Sequence, residues 1–249
     1  MNTILIIGSA IDSLRIKSWD LSKFSKIVVI NNAWKIIKNW DYLIYPEDFP
    51  NQRKPSKKSL GKKKIITAKD YVPKQNYFGG FVYAGGTMAF TAGYWALKSL
   101  KPDVIAYIGC DMVYPEQKKN QSHFYGIGKA DPLRKDITLQ SLEAKSVRFM
   151  SFAQTYNCSV INLSEQTKSR LLFPRIKIDQ FYSQKTLLNQ IKNNKIKFNL
   201  KTVNKALKIE KKLDYIVPSG RYWEEENKFD KLKLKAIDDI WLKVPNQYL

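Results

Sequence analysis

The stretch Thr3–Ser9 (TILIIGS) indicates the fold of this chain more clearly than any other. A continuous run of aliphatic, mostly β-branched residues that ends in a glycine turn predicts a strand buried on both faces, as in a parallel sheet. Two later stretches repeat the pattern: Lys26–Ile30 (KIVVI) ends at Asn31-Asn32, and Tyr42–Tyr45 (YLIY) ends at Pro46-Glu47-Asp48. The N-terminal part of the chain therefore predicts the beginning of a parallel sheet.

The rest of the chain alternates predicted helices with predicted strands. The further strands are Ile65–Thr67, Val104–Ile108 and Ser159–Leu163. The predicted helices are Ile11–Trp19, Ala33–Asn39, Met88–Leu100 and Pro132–Asn157. Residues 70–84 are rich in aromatic side chains and are expected to be irregular. The alternation favours an α/β fold, a Rossmann-like and mostly parallel sheet with helices on both faces.

The length of 249 residues fits one α/β domain with an appendage. We expect a nucleotide-binding domain over residues 1–175 and a lysine-rich, mainly helical C-terminal extension over residues 176–249. No apolar run approaches the ~20 residues that a membrane span needs, and the N-terminus lacks the basic start of a signal peptide. The two cysteines, Cys110 and Cys158, are too few for a disulfide scaffold. These features favour a cytoplasmic protein.

The formal net charge of +21 has two explanations that the sequence leaves open. Most of the basic residues are lysines, and the chain is rich in Asn and Ile, as the codon bias of an AT-rich genome would produce. However, the charge is segregated: residues 51–64, the basic loop, contain no acidic residue, and residues 168–249 have a further surplus of bases. Because this loop closely follows the predicted strand Tyr42–Tyr45, we expect it to lie over the edge of the sheet at which a nucleotide binds. Its bases are Arg53, Lys54, Lys57, Lys58, Lys62, Lys63 and Lys64. Segregation favours a polyanionic partner such as DNA, or an acidic lipid surface.

Polar residues follow the predicted strands at the edge where a parallel sheet binds its ligands. They include Gly8, Ser9, Asn31, Asn32 and Asp111. Gly85-Gly86-Thr87 precedes a predicted helix whose free N–H groups and positive dipole end would suit a phosphate. His123 is the single histidine, and its ordinary pKa near 6.5 suits a general base. The chain contains no Asp-x-Asp and no His/Cys cluster, so we expect neither a metal nor a resident cofactor.

Two motifs are more specific, Gly109-Cys110-Asp111-Met112-Val113-Tyr114 and Ser122-His123-Phe124-Tyr125-Gly126. Together with the Gly-Ser turn, Asn31-Asn32 and the Gly-Gly-Thr helix start, they resemble glycosyltransferase family 42, the bacterial sialyltransferases. The related domain of archaeal hydroxymethylpterin pyrophosphokinases is also similar. The resemblance covers about residues 1–175 and consists of short motifs.

The resemblance implies a metal-independent transferase that moves a sugar from a nucleotide sugar to an acceptor hydroxyl, with inversion. His123 would be the general base and Tyr114 would bind the leaving phosphate. Asn32 would lie at the nucleotide, and Gly8-Ser9 near the phosphate. Gly85 and Gly86 stand where the family has a donor-binding serine–glycine pair. The family's second phosphate-binding tyrosine is replaced by Asn120, for which Tyr125 is a possible substitute.

The acceptor and two other functions stay open at this point. The family implies a surface glycan as acceptor, whereas the basic segments favour a polyanion such as DNA with hydroxymethylated bases. A pterin pyrophosphokinase-like phosphoryl transferase would need Mg²⁺ and carboxylates such as Asp48 and Asp111. A non-catalytic nucleic-acid-binding protein would not need His123.

Overall fold

A computed structural model describes residues 1–114, 122–126 and 136–246. In these ranges six strands form one sheet with the order β4-β3-β2-β1-β5-β6. The strands are β1 (Thr3–Ile7), β2 (Lys26–Ile30), β3 (Tyr42–Ile44), β4 (Lys64–Ile66), β5 (Val104–Ile108) and β6 (Ser159–Asn162). All neighbouring strands are parallel. The predicted α/β class and parallel sheet are confirmed, and β1, β2 and β5 have the predicted bounds.

The strand order reverses between β1 and β5. The chain adds β2, β3 and β4 on one side of β1 and then crosses over to place β5 on the other side. Ligands of open parallel sheets bind at such a reversal, outside the carboxyl ends of the strands. The topology thus places Gly8, which follows β1, and Gly109, which follows β5, at the expected ligand-binding point.

Helices cover both faces of the sheet. The α-helices are α1 (Lys57–Leu60), α2 (Ala68–Tyr77), α3 (Gly80–Ala84), α4 (Met88–Leu100), α5 (Leu142–Thr155), α6 (Ile178–Tyr182), α7 (Gln184–Asn193), α8 (Leu200–Leu213) and α9 (Lys231–Leu242). The 3-10 segments are Ile11–Ser18, Leu21–Lys23, Asn31–Lys35, Asn51–Arg53, Ile137–Leu139 and Tyr222–Lys228. One face packs against α2, α4, α5, α8 and α9, and the other against α6, α7 and several 3-10 segments.

Several predicted helices differ from the structure. The expected irregular region 70–84 is helical, because a capping box between Thr67 and Asp70 starts α2 in spite of Pro73 inside it. The helices predicted over Ile11–Trp19 and Ala33–Asn39 are 3-10 segments.

The helix predicted over Pro132–Asn157 is α5, which begins much later. Its N-cap is Ser141, whose hydroxyl accepts a hydrogen bond from the Ala144 N–H at 3.1 Å. Asp136 caps a separate 3-10 turn just before it. The predicted start, Pro132, lies outside the described residues.

The C-terminal extension shares the core of the sheet domain. Trp241 of α9 is 1% exposed and belongs to the same apolar cluster as β1 and α4. Two buried ion pairs join α5 to the extension: Arg148 with Glu210 of α8 and Lys145 with Asp238 of α9, each at 2.7 Å. Residues 176–249 therefore form part of the packed molecule. No helix in the described ranges is long and apolar enough to span a bilayer.

Candidate active site

A small cavity of about 120 Å³, the first cavity, opens at the reversal of strand order. Its walls are the turns after β1, β2 and β5, the start of α4, and three ring side chains. The predicted site residues that line it are Gly8, Ser9, Asn31, Thr87, Tyr114, His123 and Tyr125. The fold therefore brings seven of the predicted residues together from five separate segments of the chain.

Bare backbone forms the floor of the first cavity. The N–H of Gly8 donates to the Ile108 carbonyl at 2.8 Å, and Ala10 donates to the Gly109 carbonyl at 3.1 Å. A Cβ on Gly8 would lie 2.2 Å from the Gly109 oxygen and 2.6 Å from the Cys110 sulfur. Only glycine fits between these two strand ends, which explains Gly8 in the Gly-Ser turn after β1.

A tight turn places His123 over this floor. Its backbone N–H and carbonyl exchange hydrogen bonds with Gly126, both at 3.0 Å. The N–H of the next residue, Phe124, donates to the Ser9 carbonyl at 3.0 Å. The histidine turn is thus fixed directly to the glycine turn after β1, so that the two predicted motifs form one site.

The imidazole of His123 is buried and oriented. It is 8% exposed, and burial lowers its pKa below the ordinary value, which favours the neutral ring near pH 7. Its Nδ1 is 2.8 Å from the Ser122 hydroxyl. In the tautomer whose Nδ1–H donates to the Ser122 hydroxyl, Nε2 is the unprotonated nitrogen that can accept a proton from a ligand. The rings of Tyr125 and Tyr114 lie 5.0 and 5.9 Å away, respectively, between centroids.

The start of α4 supplies the positive end of a helix dipole to the first cavity. Thr87 is the N-cap, and its hydroxyl accepts a hydrogen bond from Phe90 at 3.4 Å. Thr87, Met88 and Ala89 line the cavity. A 13-residue helix pointing its N-terminus at this space favours an anionic group there.

Gly85 and Gly86, which precede α4, were predicted to contact the donor, but they lie outside the first cavity. Gly85 has a φ of +90°, and a side chain there would press on Phe90 and Lys145, so its role is to turn the chain. The Gly86 N–H donates to the Thr138 hydroxyl at 3.0 Å. Neither glycine is among the residues that line the first cavity.

Asn32 and Asp111 are also not among the residues that line the first cavity. Asn32 is 3% exposed, and its side-chain oxygen finds no hydrogen-bond partner within the described ranges. Asp111 accepts hydrogen bonds from the Asn162 amide at 2.9 Å and the Ser164 hydroxyl at 2.6 Å. Both oxygens of this carboxylate thus hold the loop after β6 against the end of β5.

A second cavity of about 380 Å³ lies next to the first and was not predicted. It is lined by Pro46, Glu47 and Asp48 after β3, by α2 and α3, and by residues 219–223 of the C-terminal extension. Met88 lines both cavities, so they meet at the start of α4. Its volume is within the range of small-molecule sites. The sequence gives no spacing signal that joins residues 46–48 to a segment so distant along the chain.

Carboxylates make the second cavity locally negative. Glu47 is paired with the Arg221 guanidinium at 3.3 Å, and Asp48 is exposed beside it. Burial, together with the charges of Glu47 and Asp48, raises the pKa of Tyr71 to about 12.

Aromatic side chains also line the second cavity. The Tyr222 hydroxyl donates a hydrogen bond to Asp136 at 2.8 Å, and the Tyr222 ring stacks on Phe81 with centroids 6.0 Å apart. Trp223, beside Tyr222, is 56% exposed. Aromatic surfaces and hydrogen-bond acceptors are thus placed around one space.

The basic loop crosses the edge of the sheet. The Arg53 carbonyl accepts a hydrogen bond from the Trp34 indole at 3.0 Å, and the Lys54 ammonium lies 5.0 Å from the Tyr45 ring, which places both near the carboxyl end of β3. Lys64, in contrast, begins β4 and pairs with Tyr42, the first residue of β3.

The expectation that the whole loop lies over the ligand-binding edge is therefore wrong for Lys62, Lys63 and Lys64. Because β4 is parallel to β3, the chain must return to the amino edge before β4 can begin. Lys57 and Lys58 occupy the short helix α1 between the two edges.

Comparisons with protein-family models, curated proteins and solved structures found no match to this chain. The likeness to glycosyltransferase family 42 therefore depends on the short motifs alone. Within the described ranges, no three His, Cys, Asp or Glu residues are grouped so that they could bind a metal ion.

Proposed function

We propose that the protein is a metal-independent glycosyltransferase that moves a sugar from a nucleotide sugar to an acceptor hydroxyl. The observation that supports this most is the buried, neutral His123, oriented by Ser122 and fixed over the bare backbone of Gly8. A general base needs a neutral nitrogen within reach of a ligand, and a leaving phosphate is favoured by a positive dipole end, which the N-terminus of α4 supplies. Both requirements are met in one cavity.

The proposed step is a single displacement at the anomeric carbon. His123 Nε2 takes the proton of the acceptor hydroxyl while the acceptor oxygen forms a bond to that carbon. The bond between the carbon and the donor phosphate oxygen breaks, and the electron pair leaves with the phosphate. Tyr114 and the N-terminus of α4 stabilise the charge that develops on it. A displacement in which the acceptor oxygen enters opposite the leaving phosphate inverts the configuration.

The second cavity is the proposed place for the acceptor, because it adjoins the first at Met88 and has room for a sugar-sized group. The carboxylates of Glu47 and Asp48 would repel a phosphate inside it. An uncharged, hydroxyl-bearing group, as on a surface glycan, fits this environment. A DNA acceptor would have to keep its phosphates outside and insert only the modified base.

A pterin pyrophosphokinase-like activity has less support. It would need carboxylates free to bind Mg²⁺, and both oxygens of Asp111 are already engaged by Asn162 and Ser164. A purely nucleic-acid-binding role gives no reason for an oriented, buried histidine.

The test is His123→Ala, with Ser122→Ala as a graded companion. A panel of nucleotide sugars is first screened by thermal shift to find the donor, because a bound ligand raises the apparent stability. We expect His123→Ala to keep donor binding and to lower transfer by ~10²-fold or more. Ser122→Ala should lower it less, since it removes only the orientation of the ring. Turnover of His123→Ala close to wild type would overturn the general-base assignment.

A further inference from the structure

Four lysines form a straight row on the outer surface of helix α8. They are Lys201, Lys205, Lys208 and Lys212, here named the lysine stripe. Their spacing of four, three and four residues places them on one face of a helix. All four are exposed. Neighbouring members are about 5–6 Å apart at Cβ, and the stripe extends over roughly 16 Å of helix.

Acidic residues do not neutralise the stripe. The single acid of α8 is Glu210, which is 5% exposed and faces Arg148 in the core. Two lysines of the neighbouring helix α9 do have acidic partners, Lys233 with Asp230 and Lys235 with Asp239. No ion pair of a stripe lysine occurs within the described ranges of the chain.

The arrangement is also unfavourable for the helix itself. Like charges three and four residues apart repel each other. Lys201 lies in the first turn, where the helix dipole favours an acidic residue. The repulsion within the row and the position of Lys201 are both unfavourable, and a partner that supplies negative charge would offset them.

The partner must be recognised by charge alone. The apolar face of α8, with Val203 and Ala206, is already buried against the core, and Leu200 is its one strongly exposed aliphatic residue, so this surface has little apolar area to insert into a bilayer. A narrow, straight row of ammonium groups is complementary to a linear array of phosphates. We propose that the lysine stripe binds the phosphate backbone of a nucleic acid. This proposal is independent of the sugar-transfer activity.

The experiment compares two variants that lose the same charge. The first is Lys201→Gln/Lys205→Gln/Lys208→Gln/Lys212→Gln. The matched control is Lys17→Gln/Lys23→Gln/Lys38→Gln/Lys69→Gln, four exposed lysines scattered over the rest of the chain. Binding of a labelled 30-base-pair duplex DNA is followed by fluorescence anisotropy from 50 to 300 mM NaCl. Vesicles of neutral lipid with phosphatidylserine form a parallel arm, and circular dichroism checks folding.

The wild type should bind DNA with an affinity that falls steeply with salt. Each phosphate contact contributes ~0.9 to the slope of log K against log salt, so loss of four contacts should flatten the slope by about 3.6. The control should retain the wild-type slope. If the fourfold variant does not fold, Lys201→Gln/Lys208→Gln replaces it and should flatten the slope by about 1.8.

Three results would overturn the proposal: equal loss of binding in both glutamine variants, no salt-dependent binding of DNA by the wild type, or binding to the anionic vesicles but not to DNA. The third result would assign the stripe to a lipid surface. None of these results bears on the role of His123, which is tested by turnover.

Discussion

Removal of the Glu210 side chain is expected to lower the free energy of unfolding of the molecule by a large fraction. Its carboxylate accepts three buried hydrogen bonds: from Arg148 Nε at 3.0 Å, from Arg148 Nη2 at 2.7 Å and from the Trp241 indole at 2.8 Å. Burial works against the charge of Arg148, but Glu210 and Tyr94 outweigh it and raise the pKa of the guanidinium. Glu210 therefore joins α5, α8 and α9 at one point.

The magnitude follows from what Glu210→Ala leaves behind. Arg148 is 1% exposed, so its guanidinium would remain in the core without a counter-charge. Breaking one side of a buried ion pair costs about 3–5 kcal/mol. A domain has a free energy of unfolding of about 5–15 kcal/mol, so the variant should lose roughly a fifth of it or more. Arg148→Met/Glu210→Leu removes both charges and should be more stable than Glu210→Ala.

Urea unfolding followed by circular dichroism and by tryptophan fluorescence measures these differences. Because residues 1–175 and 176–249 share one core, the two signals should show one coincident transition in the wild type. A loss below ~1 kcal/mol in Glu210→Ala would refute the reasoning. So would a separate early transition of the extension, which would favour two independent domains.

Four further predictions concern the proposed transfer and the residues of the first cavity. Since burial lowers the pKa of His123, kcat/KM should stay constant down to a pH below 6.5 and decline only under it; an acidic limb centred above 6.5 would contradict this. The unfolded chain binds a proton at His123 more readily than the folded chain, so the free energy of unfolding should also fall as the pH drops below 6.5. The substitution His123→Gln should reduce that loss. Transfer should survive EDTA, whereas abolition with rescue by Mg²⁺ would favour the pyrophosphokinase alternative. Gly8→Ala should destabilise by ~1–3 kcal/mol and weaken the thermal shift given by the donor, because its Cβ would meet the Gly109 carbonyl at 2.2 Å; an unchanged melting temperature would exclude this clash.

The sheet was predictable because its strands are buried on both faces. A strand of this type is a continuous aliphatic run, and β1, β2 and β5 accordingly begin and end at the predicted residues. The glycine and polar residues after these strands identify the edge at which the first cavity opens. Parallel pairing then follows from the alternation with helices, without any tertiary information.

The second cavity could not be predicted because no local pattern encodes it. Glu47 follows β3 and Trp223 lies far along the chain in a 3-10 segment, yet tertiary packing brings both to one space. The helical region 70–84 was missed for a related reason. Its aromatic residues and Pro73 suggest a loop, whereas the capping box at Thr67 and burial against α4 decide the outcome.

The C-terminal extension lines the second cavity but not the first. Under the proposed function, the donor cavity therefore needs only the first part of the chain, whereas the acceptor cavity needs the extension as well. The first cavity is lined by residues before position 126, and the second is completed by residues 219–223. The extension is attached to α5 through Glu210 and Asp238. Neither residue lines either cavity. A defect in this attachment should therefore weaken acceptor use before donor binding. Glu210→Ala, examined under conditions in which it remains folded, should raise the acceptor KM while the donor thermal shift is retained.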